Sequence, residues 1–145
     1  MKKNLNILLA LMQLDIGGAE THVVELAKEL KRKGHNPIVT SNGGVYVKEL
    51  EENGIKHYRV PLQNKNPKNM IRSAKLLKRI ITDENIDIVH AHARIPSFIL
   101  GEHHKRMGFP LVATAHWVFT TRFGLKYIPD WGEKTVAVSE DIKTY

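Results

Sequence analysis

Short apolar runs alternate along this chain with longer amphipathic stretches, and that alternation restricts the fold more than any single residue does. Asn6 to Met12 is continuously apolar after its first residue, the pattern of a strand covered on both faces. The stretch from about Ala19 to Lys33 then spaces Val23, Val24, Leu26, Ala27 and Leu30 along one helical stripe, and Gly34 predicts its stop. Further strands are expected at Asn36–Thr40, Ile55–Val60, Ile86–Ala91, Leu111–Ala115 and Thr135–Val138. Helices are expected at Val45–Asn53, Lys68–Asp83 and Pro96–Met107. Strand and helix in turn predict βαβ units around a parallel sheet. The expected class is therefore α/β, a Rossmann-like three-layer α/β/α arrangement with a mostly parallel sheet of about six strands.

The 145 residues suit one domain, large enough to bury a core without staples. Cysteine is absent, which excludes disulfides and thiolate metal sites and fits a cytoplasmic protein. No apolar run approaches the ~20 residues that span a bilayer. Ile7 to Met12 is too short for a signal-peptide core, and Gln13 and Asp15 close it. The segment Trp117 to Trp131 is aromatic and basic and reads as a loop with a short helix. Ser139 reads as an N-cap, with Glu140 and Asp141 in a first helical turn. Tyr145 falls about one turn into that helix, too short to be stable alone, so more protein is expected after it.

The net charge of +7 admits an anionic membrane, a nucleic acid or an acidic substrate as partner. The basic residues are spread along the chain and match no nucleic-acid motif, so nucleic acid is not expected. In the Lys68–Asp83 helix, Lys68, Arg72, Lys75 and Arg79 share one face, while Ile71, Ala74, Leu77 and Ile81 lie along another. Such a helix can rest peripherally on an anionic membrane or simply present a solvated face over a core stripe.

In an open α/β sheet, ligands bind beyond the carboxyl ends of the strands where the strand order reverses. Right-handed crossovers with order 3-2-1-4-5-6 put strands one and four beside that point. After strand one comes Gly17-Gly18-Ala19-Glu20 at a helix start. Two glycines let backbone approach a ligand, and helix-start amides can hold a phosphate, although a bare Gly-Gly is also an ordinary tight turn. The G-x-G-x-x-G fingerprint and the P-loop Lys-Ser/Thr are missing, which argues against NAD binding and ATP hydrolysis. After strand four comes His90-Ala91-His92-Ala93-Arg94. Strand alternation puts both histidines on one side, with His92 nearer the mouth. No third metal ligand lies nearby, and no metal is expected. After strand five comes Thr114-Ala115-His116-Trp117, where a neutral imidazole could meet a sugar hydroxyl.

Taken in order, Gly17-Gly18-Ala19-Glu20-Thr21-His22-Val23, Asp87-Ile88-Val89-His90-Ala91-His92, Thr114-Ala115-His116 and Thr135-Val136-Ala137-Val138-Ser139 resemble the N-terminal domain of glycosyltransferase family 4, which has the GT-B fold. The resemblance spans nearly the whole chain. It implies one half of a GT-B fold, with a second, donor-nucleotide domain following. It implies a retaining enzyme of hexosyltransferase type that moves a sugar from a nucleotide-diphosphate donor to an acceptor hydroxyl of a glycan, lipid or polyol. Gly17 and Gly18 would approach the donor diphosphate, and His116 would be the catalytic contact to the transferred sugar. His92, Arg94 and Glu20 would line the acceptor side. No metal or other cofactor is implied, and the setting would be cytoplasmic, at the inner face of the membrane, in cell-envelope polysaccharide synthesis. The family's diphosphate-binding basic pair and donor Glu motif would lie beyond Tyr145, so this stretch alone is expected to be inactive. A sugar-nucleotide epimerase half of the same architecture, or a stand-alone flavodoxin-like binding module, are the alternatives.

Overall fold

The computed structural model describes residues 4–14, 18–62, 66–92, 94–115 and 134–137. The segment Trp117 to Trp131 and the helix expected from Ser139 lie outside the described residues. In chain order the elements are β1 (Asn6–Ala10), α1 (Gly18–Arg32), β2 (Asn36–Ser41), α2 (Val47–Glu52), β3 (Lys56–Arg59), α3 (Pro67–Asp83), β4 (Ile88–His92), α4 (Arg94–Met107), β5 (Leu111–Ala115) and β6 (Lys134–Ala137).

The six strands form one parallel sheet in the order β3-β2-β1-β4-β5-β6, as the handedness argument expects. β1 is central, pairing Ala10 with Thr40 on one side and with Ala91 on the other. Its alternate side chains feed two cores. Leu8 and Ala10 join Ile38, Val89, Leu111 and the inner faces of α3 and α4. Ile7 and Leu9 join Val39, Val23, Val24, Ala27, Leu50 and Ile55 under α1 and α2. A strand buried on both faces must be apolar at every position, which is why β1 shows no polar alternation.

Element ends follow local chemistry. α1 closes through Gly34, at φ +93°, with Gly34 N–H donating to Lys31 O and His35 N–H to Leu30 O. α3 opens one residue earlier than the sequence suggests: Asn66 Oδ1 accepts from Lys68 N–H at 3.0 Å, and Pro67 sits in the first turn where its missing N–H costs nothing. β4 runs later than the sequence suggests, ending at His92 instead of Ala91, because His92 pairs with Thr114 of β5.

Candidate functional site

β1 and β4 are neighbours whose chains leave in opposite directions. β1 leads to α1 on one face of the sheet, and β4 leads to α4 on the other. The crevice expected of such a sheet therefore opens above Ala10 and His92. Gly18 begins α1 on this rim, where the helix's first amides have no intrahelical acceptor and the dipole is positive. Glu20 lies in that first turn, half-buried. Arg94 is the first residue of α4, so it too stands on this rim. Gly17 and His116 lie outside the described residues.

The exit of β1 is strapped to the exit of β2. Leu11 N–H donates to Thr40 O, Asn42 N–H to Met12 O, Leu14 N–H to Gly43 O and Tyr46 N–H to Leu14 O, all within 2.8–3.0 Å. Gly43, at φ +104°, makes this turn possible without side-chain strain. Thr21 Oγ1 and Tyr46 OH, 3.2 Å apart, tie the start of α1 to the same loop. Below it, Ser41 Oγ accepts from Gly43 N–H at 3.0 Å and lies 2.7 Å from His57 Nε2. The Ser41–Gly44 loop is thus part of the rim. None of its residues is among the sequence candidates, although Ser-Asn-Gly-Gly at a strand end is a turn signal.

His90 and His92 do share a side of β4, with ring centroids 4.1 Å apart and planes tilted by 32°. His92 is fully buried, whereas its strand-end position suggests an open face toward a ligand. α1 covers it: His22 stands edge-on to His92 with centroids 5.9 Å apart. His22 itself is exposed, so it is the member of this three-imidazole row that faces solvent. Neutral imidazoles both donate and accept hydrogen bonds, which suits hydroxyl-rich or phosphate-bearing ligands. Local sequence does not display the row, because α1 and β4 meet only once the sheet has assembled. No set of three His, Asp or Glu residues among the described residues has the geometry to hold a metal ion.

The model of Glycosyltransferase Family 4 matches residues 16–145 of the chain. The gpi3 component of phosphatidylinositol N-acetylglucosaminyltransferase from Schizosaccharomyces pombe is 32% identical over 113 residues, covering 71% of this chain and 24% of that protein. The crystal structure of a glycosyltransferase from Rickettsia africae ESF-5 is similar at TM-score 0.76 and 31% identity, covering 99% of this chain and 39% of that one. The Anabaena Alr3699/HepE structure in complex with UDP-glucose shares the fold at TM-score 0.74 and 17% identity, covering 97% of this chain and 39% of that one. The chain thus spans 24% of the curated relative's length and 39% of each solved one.

Proposed function

Because the chain belongs to glycosyltransferase family 4, we propose that it forms the acceptor-side, N-terminal half of a retaining hexosyltransferase that moves a sugar from a nucleotide-diphosphate donor to an acceptor hydroxyl. The observation that carries this reading is the family match from residue 16 to residue 145, laid over a sheet whose strand order reverses between β1 and β4, the strands that lead into α1 and α4. UDP-glucose bound to the Anabaena relative supports a nucleotide sugar as donor. The donor enters as substrate, and the reading includes no resident metal.

In this reading the amides at Gly17 and Gly18 receive the diphosphate at the positive end of α1. His116 contacts the sugar in transfer, while Glu20, His92 and Arg94 line the acceptor side, with His92 acting from beneath the surface. A second domain, supplied by the rest of the protein, closes the cleft and stabilises the charge on the departing diphosphate. Each donor of that kind contributes ~3 kcal/mol to transition-state binding, so the 145-residue stretch alone transfers nothing measurable. The protein works on the cytoplasmic side, in peripheral contact with the membrane, on an acceptor that is a glycan, a lipid or a polyol.

The test compares the full-length protein with its Gly18→Val variant across a panel of nucleotide sugars. Transfer by the parent protein is expected, and a branched side chain at the helix start should raise the donor KM about tenfold or more, equivalent to ~1.4 kcal/mol. Equal donor KM and turnover in the variant would remove Gly18 from the diphosphate site. Turnover by residues 1–145 alone would overturn the division of labour between the two halves.

A further inference from the structure

The chain's positive charge is segregated between the two helical layers. α3 carries five cations, Lys68, Arg72, Lys75, Lys78 and Arg79, against the single acid Asp83. On the opposite face of the sheet, α1 carries three of each sign, and α2 carries one lysine against three glutamates. That layer also neutralises itself locally: Lys28 pairs with Glu25 and Glu49, Arg32 with Glu29, and Lys48 with Glu52. Of the α3 cations, only Arg79 makes an ion pair among the described residues, with Asp83 at 3.5 Å. Lys68, Arg72, Lys75 and Lys78 are exposed and make no ion pair among the described residues. A solvated helix face is normally laced with opposite charges, as α1 is, and this one is not.

An apolar side chain stands among those cations. Lys68, Ile71, Lys75 and Lys78 follow one another at steps of three and four residues, so they form a single row along the helix. Ile71 belongs to this outer row and not to the buried stripe that its hydrophobicity suggests: it is 59% exposed. The inner face of α3 is fully committed to the core through Ser73, Leu77, Ile80 and Ile81. The outer row is therefore a fixed surface, carried on a packed helix.

We propose that the outer face of α3 is the surface by which this protein rests on a membrane of anionic phospholipids, with the lysines meeting headgroups and Ile71 dipping below them. The surface rests on the peripheral location proposed above, and it names both the face and the lipid class. Lysine stems lie along apolar material while their ammonium groups stay at the polar level, so such a row suits the boundary between headgroup and acyl chain. A nucleic acid would use the cations equally well but has no use for an exposed isoleucine between them, and this favours lipid. The sheet's carboxyl edge lies at the strand ends and is distinct from the outer face of α3, which points away from the core.

The experiment is co-sedimentation of the purified protein with vesicles of phosphatidylcholine alone, and of phosphatidylcholine mixed with phosphatidylserine, at roughly 0.1 M salt, where surface charges still act over ~10 Å. Binding is expected only to the mixed vesicles. Each neutralised cation near an anionic surface is expected to weaken binding about fivefold, so Lys68→Gln with Lys75→Gln and Lys78→Gln should weaken it on the order of a hundredfold. Ile71→Ser should weaken it several-fold while leaving its salt dependence unchanged. Lys31→Gln with Lys33→Gln and Lys48→Gln, on the other layer, should leave it intact. All substituted side chains are exposed, and an unchanged thermal midpoint confirms that each variant is folded. Equal losses from the two triple variants would overturn the proposal, since binding would then follow net charge alone. Equal binding to both vesicle types would overturn it, as would tighter binding to duplex DNA that Ile71→Ser does not change. No step uses a nucleotide sugar, so the outcome stands apart from that of the transfer assay.

Discussion

His57 is a half-buried ring whose protonation state the fold decides. Ser41 Oγ accepts a hydrogen bond from Gly43 N–H and shares a second one with His57 Nε2, in which either atom can donate. Burial pushes the His57 pKa below the ordinary histidine value; Glu51 opposes this and Arg59 adds to it. The sign of the linkage follows. Above the unfolded pKa of ~6.5, both states hold His57 neutral and the contribution to stability is complete. As pH falls through that value, the unfolded chain takes up a proton that the folded one resists, and stability drops until the folded ring is protonated too. His57→Gln keeps a polar partner for Ser41 but cannot titrate. Thermal midpoints measured from pH ~7.5 down to ~5 should therefore fall more steeply for the parent than for the variant. Parallel curves would mean that the depressed His57 titration does not reach stability. The same rim shows why single residues in sequence mislead. His92 reads as an open strand end, and burial under α1 makes it a support for the exposed His22.

At the scale of elements, α3 shows which signals survive folding and which do not. Its start is written locally, in Asn66 and Pro67, one residue before the Lys68 start expected from the apolar spacing. Asn66→Ala should cost ~1 kcal/mol, the usual loss when a capping side chain disappears, and lower the melting temperature by about 4 °C in a chain of this size. Asn66→Asp should hold the stability, since its carboxylate caps the same amide and complements the helix dipole. An alanine variant as stable as the parent would show that the 3.0 Å contact contributes nothing. The buried face of α3 is less legible. Ser73 is fully buried, its Oγ donating to Pro61 O at 2.9 Å, and it occupies a stripe position that apolarity alone would never assign to serine. Ile71 lies about 200° further round the helix, on the outside. A satisfied polar group inside and an apolar one outside reverse the binary pattern at two neighbouring positions, and only tertiary contact reveals it.

For the whole molecule, strand order is legible because apolar runs set the number of strands and right-handed crossovers leave few ways to arrange them. The point where the strand order reverses, between β1 and β4, is legible for the same reason. The imidazole row and the strapped Ser41–Gly44 loop are not, since both join segments distant in sequence. The shared central strand is expected to couple the two cores, and this can be tested. Leu8 and Leu9 are adjacent and fully buried, but Leu8 packs against the α3 and α4 side while Leu9 packs against α1 and α2. Truncating either to alanine should cost about 2–5 kcal/mol, a large share of the total stability of a domain this size. Because both cores press on the same five hydrogen-bonded residues of β1, losing one should loosen the other. Amide hydrogen exchange reads this directly. In Leu8→Ala, protection should fall in α1 as well as in α3, and in Leu9→Ala it should fall in α3 as well as in α1. If each substitution speeds exchange only in the helices it touches, the two layers open independently, and the sheet is a shared floor without being a cooperative unit.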